Sequence, residues 1–204
     1  MPIRALALNC TLKPRGEGSS TQKLLDEVMA ALARHGVEDA GTVRVGDLRI
    51  APGVTSDEGD GDEWPEVRAR VLEAEILVLG TPIWLGHPSS HAQRVLERLD
   101  AFLGEEDEAG RMIASDRVAL VAVVGNEDGA HHVAAELFQG LVDVGYTVPA
   151  NGMTYWVGEA MGSVDYRDDV QSDKVDGATD LAAKNAAHLA GLLQAAGYPA
   201  GEPG

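Results

Sequence analysis

Residues 76–102, ILVLGTPIWLGHPSSHAQRVLERLDAF, decide the fold. Ile76 to Leu79 is an uninterrupted apolar run, short enough for a strand buried on both faces. Gly80, Thr81 and Pro82 break it, and Ile83, Trp84, Leu85 and Gly86 carry large apolar side chains onto the connection that follows. After Pro88, Ser89 and Ser90 the pattern turns helical, with Ala92, Val95, Leu96, Leu99, Phe102 and Leu103 on one face. Ser90 and Gln93 have capping-box spacing and mark the start of that helix. A strand-to-helix loop lies at the carboxyl end of its strand, where open α/β sheets bind ligands. Trp84 therefore either faces a flat aromatic ligand or packs against a neighbouring helix.

On either side of this stretch the same alternation repeats. Ile3 to Asn9 reads as a first strand, followed from about Thr21 by a helix with Leu24, Leu25, Val28, Met29 and Leu32 on one stripe and Gly36 as its stop. Thr42 to Leu48 reads as a second strand, residues 51–63 as a solvated acidic loop, and Trp64, Val67, Val71 and Leu72 as a second helix. Past an acidic turn at Glu105 to Glu108, Val118 to Val124 is another fully apolar strand. Val133, Ala134, Leu137, Phe138, Leu141 and Val142 mark a fourth helix ended by Gly145. Tyr146 to Val148, with a second piece at Met153 to Trp156, is the last strand. Thr179 to Ala196 closes the chain as a helix with Leu181, Leu189, Leu192 and Leu193 facing inward. Strands alternating with helices, two of them continuously apolar, predict an α/β fold with a parallel sheet covered on both faces. At this size the expected form is a single flavodoxin-like, doubly wound domain over residues 1–204, its five strands in the order 2-1-3-4-5.

Composition narrows the function. The chain has 204 residues and a net charge of −17, which argues against nucleic acid or anionic lipid as a partner. No apolar run is long enough to cross a membrane, and the N-terminus leads straight into a strand with no signal-peptide cleavage site. Cys10 is the single cysteine, which fits a reducing, cytoplasmic location. Charge is unevenly spread: residues 1–23 carry +3 and the remainder −20.

That basic island coincides with a loop suited to phosphate. Asn9 to Thr21 contains Thr11, Lys13, Arg15, Gly16, Gly18, Ser19, Ser20 and Thr21. Hydroxyls and free backbone N–H groups at a helix N-terminus form an anion site, although one of these residues is enough to cap a helix. The loop is neither a Walker loop nor a dinucleotide fingerprint. After the fourth strand, Gly125 and Gly129 flank Asn126, Glu127 and Asp128, so backbone can approach a ligand closely, or Asp128 can simply cap the next helix. In a doubly wound sheet these loops and the Trp84 loop open on one edge. Together they offer a phosphate seat, an apolar wall and a glycine-bearing rim, which suits a phosphorylated planar heterocycle.

The segments NCTLKPRGEGSSTQKLL, GTPIWLGHPSS and VVGNEDGAHHVAAELFQGL resemble those of the flavodoxin-like NAD(P)H-dependent oxidoreductases, the FMN reductase and quinone reductase group. The resemblance covers Ile3 to Trp156 and implies an enzyme that binds FMN. It would pass electrons from NADH or NADPH to a quinone-like or other small acceptor. It implies that Thr11, Lys13, Ser19, Ser20 and Thr21 hold the FMN phosphate. Pro82, Ile83, Trp84, Leu85 and Gly86 would lie along the isoalloxazine ring, and Gly125, Asn126, Glu127, Asp128 and Gly129 along its other side. The phosphate loop departs from the commoner short form containing Asn-Thr. Two other functions stay open: an electron carrier of flavodoxin type, and a cofactor-free binding module.

No pair of side chains has the spacing of an acid–base couple, so no catalytic residue is expected; hydride chemistry belongs to the flavin. His131 and His132 either face a substrate or sit at the surface near a helix start. Tyr155 and Trp156 either wall the site or close the last strand. Cys10 reads as a small buried residue. Residues 157–178 lack periodicity and suit a lid, a disordered stretch or a subunit contact, the last leaving a homo-oligomer open. The scattered His and Asp residues have no metal-site spacing, so no metal is expected.

Overall fold

The computed structural model describes residues 1–168 and 172–200. Its strands are β1 (Arg4–Asn9), β2 (Glu38–Arg44), β3 (Ile76–Trp84), β4 (His87–Pro88), β5 (Val118–Gly125) and β6 (Met153–Val157). Its helices are α1 (Ser20–Arg34), α2 (Trp64–Glu73), α3 (Ser90–Leu99), α4 (Ala130–Asp143) and α5 (Asp173–Ala195). Five parallel strands run in the order β2-β1-β3-β5-β6, and β4 pairs only with the end of β3. Setting the short β4 aside, this is the expected 2-1-3-4-5 order.

The apolar runs are explained by two cores, one on each face. Because strand side chains alternate, Leu6, Leu8, Leu77, Leu79, Val121 and Val123 enter one core with α2, α3 and α4. Their neighbours Ala5, Ala7, Ile76, Val78, Leu120 and Val124 enter the other with α1 and α5. A strand serving both cores has no polar face, and β3 and β5 read accordingly.

Several boundaries differ from the sequence expectations. The second strand starts at Glu38 rather than Thr42, and Val45 to Asp47 form a 3-10 turn beyond it. As an edge strand it tolerates Glu38 and Asp39, and Gly41 at φ 94° accompanies a register shift opposite Ala5 to Ala7. Tyr146 to Val148 contributes only a bridge between Thr147 and Val118; the last strand is Met153–Val157. The closing helix begins at Asp173, capped by Ser172, and turns Ala182, Ala183, Ala186 and Ala190 inward. Leu181 and Leu192 are exposed instead, because small residues let α5 lie close against α1 and the sheet. Ser89 rather than Ser90 caps α3, its side chain accepting from Ala92 N.

The acidic stretch 51–63 is not a loose solvated loop. It folds around a buried ion pair between Arg98 Nη2 and Asp62 Oδ2, 2.8 Å apart. Arg98 also donates to the Ala51 and Thr55 carbonyls, each at 3.0 Å. Asp62 accepts from the N–H groups of Ala51, Glu58 and Trp64. Burial would raise the Asp62 carboxyl, but Arg98 and those N–H groups outweigh it and hold the group down from 3.8 to about 2.

Candidate functional site

The carboxyl edge of the sheet carries a cavity of about 530 Å3, within the range of small-molecule sites. Its lining includes Thr11, Lys13, Ser19, Ser20, Thr21, Pro82, Ile83, Trp84, Leu85, Gly125, Asn126 and Glu127, all named from the sequence. Gly86, Asp128 and Gly129 are not part of the lining. Gly86 and Gly129 instead pack on each other: a Cβ on Gly129 would lie 2.9 Å from Gly86 Cα. Asp128 turns back and accepts from Gly129 N at 2.7 Å, so Gly129, not Asp128, is the cap residue of α4.

One end of the cavity is the N-terminus of α1. Ser19 caps this helix by accepting from Gln22 N at 3.1 Å. The duty of capping therefore falls on Ser19, leaving the hydroxyls of Ser20 and Thr21 for other partners. No acidic residue stands in the first turn, so the helix dipole is not countered there. The loop before it is held from outside by Arg44. Its guanidinium donates to the carbonyls of Lys13, Pro14 and Glu17 at 2.8, 2.9 and 2.7 Å.

The apolar wall is a hairpin rather than a plain loop. Ile83 and Trp84 pair with Pro88 and His87, and Leu85 and Gly86 form the turn at φ 52° and 78°. Left-handed φ at both turn positions matches the twist of a tight hairpin. Trp84 is 55% and Leu85 89% exposed, a large apolar surface left without a protein partner at the mouth of a cavity. Deeper in, Thr81 Oγ1 accepts from Ser89 N at 3.0 Å, and Ser89 Oγ donates to Cys10 O at 2.6 Å. Burial pushes the neighbouring Cys10 thiol far above its usual range, which makes it an inert packing residue.

Sequence reasoning missed Leu12, Val124, Met161 and Asp165 in the lining and left Trp156, also present, undecided. Tyr155 stands outside the lining, edge-on to His131 with ring centroids 5.0 Å apart. Met161 and Asp165 belong to the irregular stretch after β6, which forms a strap. Met161 N donates to Asn126 O at 2.9 Å, and Asn126 Nδ2 donates to the Val164 carbonyl at 3.0 Å. At its far end, Arg167 donates to Gly18 O at 2.6 Å and Lys23 Nζ to Tyr166 O at 3.1 Å. The strap thus joins the Gly125 loop to the start of α1. Residues 169–171, the part of the stretch next to α5, lie outside the described residues.

The cavity fits FMN in its chemistry. Hydroxyls and Lys13 at a helix N-terminus suit the phosphate, and the Trp84 hairpin suits a flat ring. Glu127 Oε1 is buried without a hydrogen-bond donor among the described residues, an acceptor left over for a ligand N–H.

Comparison with known proteins agrees with that chemistry. Residues 3–161 match the family described as NADPH-dependent FMN reductase. The chain is 36% identical over 169 residues to 8-demethyl-8-aminoriboflavin-5'-phosphate synthase of Streptomyces davaonensis, covering 78% of this chain and 65% of that protein. It is 37% identical over 201 residues to a Mycobacterium bovis protein named divalent metal cation transporter MntH, covering 95% of this chain and 29% of that protein. The chain thus spans less than two thirds of the length of each of these relatives. The solved structure of RosB with bound 8-demethyl-8-formylriboflavin-5'-phosphate is 33% identical, with a TM-score of 0.87 over 96% of this chain and 82% of that one. An NADH:FMN oxidoreductase in its apo form shares the fold, at 18% identity and a TM-score of 0.63 over 89% of this chain and 88% of that one. The fold, the FMN cofactor and the nicotinamide donor expected from the sequence are those of one family, and the chain belongs to it: the NADPH-dependent FMN reductases.

Proposed function

We propose that the chain is an FMN-dependent oxidoreductase that takes electrons from NADH or NADPH and delivers them to a quinone-like or other small planar acceptor. The observation that supports this best is the single cavity edge shared by the α1 N-terminus and the exposed Trp84–Leu85 hairpin. FMN, when bound, supplies the hydride and electron chemistry. The protein's part is to bind and orient. Lys13, Ser20 and Thr21 take the phosphate, charge-assisted bonds that anchor one end. Pro82, Ile83, Trp84 and Leu85 line one side of the ring and keep water from it, while Gly125, Asn126 and Glu127 border the other. Glu127, whose buried Oε1 lacks a donor among the described residues, would be available to accept from a ring N–H. The face left open beside Trp84 and Leu85 receives donor and acceptor in turn.

Stopped-flow mixing of the FMN-loaded protein with NADPH, then NADH, tests this. Rapid loss of the oxidised-flavin absorbance, restored by a quinone, is the expected result. No loss with either donor would leave a carrier that depends on a separate reductase.

A second function is supported by the likeness to the synthase, over 78% of the chain, and to RosB, over 96% of it. Under it, a flavin 5'-phosphate in the same cavity is a substrate to be modified. Mass spectrometry of the flavin recovered after turnover separates the two: an unchanged mass supports the reductase, a changed ring mass the modifying enzyme.

A further inference from the structure

On the surface beside the hairpin, three metal-ligating side chains from two elements converge. His87 comes from β4, and His132 and Glu136 come from α4, four residues apart and therefore on one face of that helix. His87 Nδ1 and His132 Nε2 approach the same carboxylate oxygen, Glu136 Oε1, at 3.0 and 2.7 Å. The three donor atoms all lie within 4.8 Å of one another. The two imidazoles stand edge to face, 72° apart with centroids 5.1 Å from each other, rather than stacked in parallel. Both histidines are exposed and Glu136 is half-buried, which leaves the outer side of the cluster open to water.

Two histidines and one carboxylate are a donor set that Zn2+ takes, with a fourth position for water. Bonds of about 2.0–2.2 Å in a tetrahedron place ligand atoms roughly 3.3–3.5 Å apart. The two histidine nitrogens stand 3.0 and 2.7 Å from the Glu136 oxygen and all three donors lie within 4.8 Å, so a modest side-chain adjustment brings them to those separations. Hydrogen bonding accounts for each His–Glu contact in the absence of an ion, and the same convergence on one side of Glu136 brings three donor atoms within reach of a single cation. We propose that His87, His132 and Glu136 form a divalent transition-metal site with Zn2+ as its natural occupant.

The site has a structural consequence that does not depend on what the cavity binds. His87 follows directly on the Leu85–Gly86 turn, and Gly86 already rests on Gly129 at the start of α4. A cation held by His87 and α4 fastens the hairpin to the helix at a second point. It thereby restrains Trp84 and Leu85.

Titration calorimetry of Zn2+ into chelator-treated protein tests the site. One equivalent is expected to bind with micromolar or tighter affinity, and Co2+ in its place is expected to give visible d–d absorption of a low-coordinate site. Glu136→Gln and His132→Ala should each weaken Zn2+ at least tenfold, whereas His188→Ala, remote on α5, should not. Should Glu136→Gln fail to fold, His87→Ala on the exposed hairpin replaces it. Absence of saturable one-to-one binding in the wild type, or binding that survives these ligand substitutions, overturns the proposal.

Discussion

Ser89 Oγ donates a buried 2.6 Å hydrogen bond to the carbonyl of Cys10, joining the start of α3 to the loop after β1 across 79 residues of chain. The same oxygen accepts from Ala92 N and so caps α3. One hydroxyl thus ties the loop after β1, at one end of the cavity, to the start of α3 behind the Trp84 hairpin.

Ser89→Ala removes the cap and leaves a buried carbonyl without its donor. A lost cap costs about 1 kcal/mol and an orphaned buried acceptor about 1–3 kcal/mol. Urea denaturation is expected to show a loss of roughly 2–4 kcal/mol. A change below about 0.5 kcal/mol would mean that water replaces both bonds.

Replacing Ser20 and Thr21 together by Ala leaves the Ser19 cap in place. Charge-assisted bonds to a phosphate contribute about 1.5–3 kcal/mol each. FMN affinity should fall by about two orders of magnitude or more, with a small change in apoprotein melting temperature. Ser20 Oγ also accepts from Arg167 N at a long, exposed 3.3 Å, a minor loss. Riboflavin, which has no phosphate, should bind both proteins almost equally. Equal FMN affinity in both would move the phosphate elsewhere in the loop.

Arg44→Met tests whether loop order matters to binding. Three carbonyls of the loop lose their shared donor while the loop's own cavity-lining side chains remain. Ordering a mobile loop on binding costs about 0.5–1.5 kcal/mol per immobilised side chain. FMN should therefore weaken by about tenfold, with faster tryptic cleavage after Arg15 in the apoprotein. Unchanged affinity would show that the loop holds its shape without Arg44.

The Arg98–Asp62 pair predicts both a mutant and a pH effect. Arg98→Met strands a buried carboxylate and should destabilise by about 3–5 kcal/mol. Asp62 is depressed in the fold, so its contribution is fully present above 3.8 and is lost as pH falls from there through about 2. Acid unfolding of Asp62→Asn should lack that component. Parallel acid-unfolding curves for wild type and variant would contradict it.

Most of the cavity was legible because its residues come in short local motifs. Lys13 to Thr21 and Pro82 to Leu85 each carry their chemistry within a few positions of a strand end. What stayed hidden depends on distant partners. Arg44 looked like part of an edge strand, and nothing near it says that its guanidinium holds a loop some thirty residues earlier. Arg98 appeared to sit on an ordinary amphipathic helix, and residues 51–63 looked solvated, because the buried pair is visible only once both are placed. His132 and Glu136 have helical chelate spacing, but their third member, His87, is brought to them only by the pairing of β4 with β3. The strand and helix boundaries that moved, at Glu38 and Asp173, lie where polar or small residues meet neighbours rather than where an apolar period ends.

The strap places the cavity late in the protein's biogenesis. Arg167 and the Gly18 carbonyl that it grips are separated by 149 residues. At a synthesis rate of about 5–20 residues per second, the loop before α1 waits on the order of ten seconds for this second fastening to be made. A nascent chain arrested before Met161 has β1, β3 and β5 but lacks two residues of the cavity lining, Met161 and Asp165. The last part of the lining is therefore added only after all five parallel strands have been synthesised.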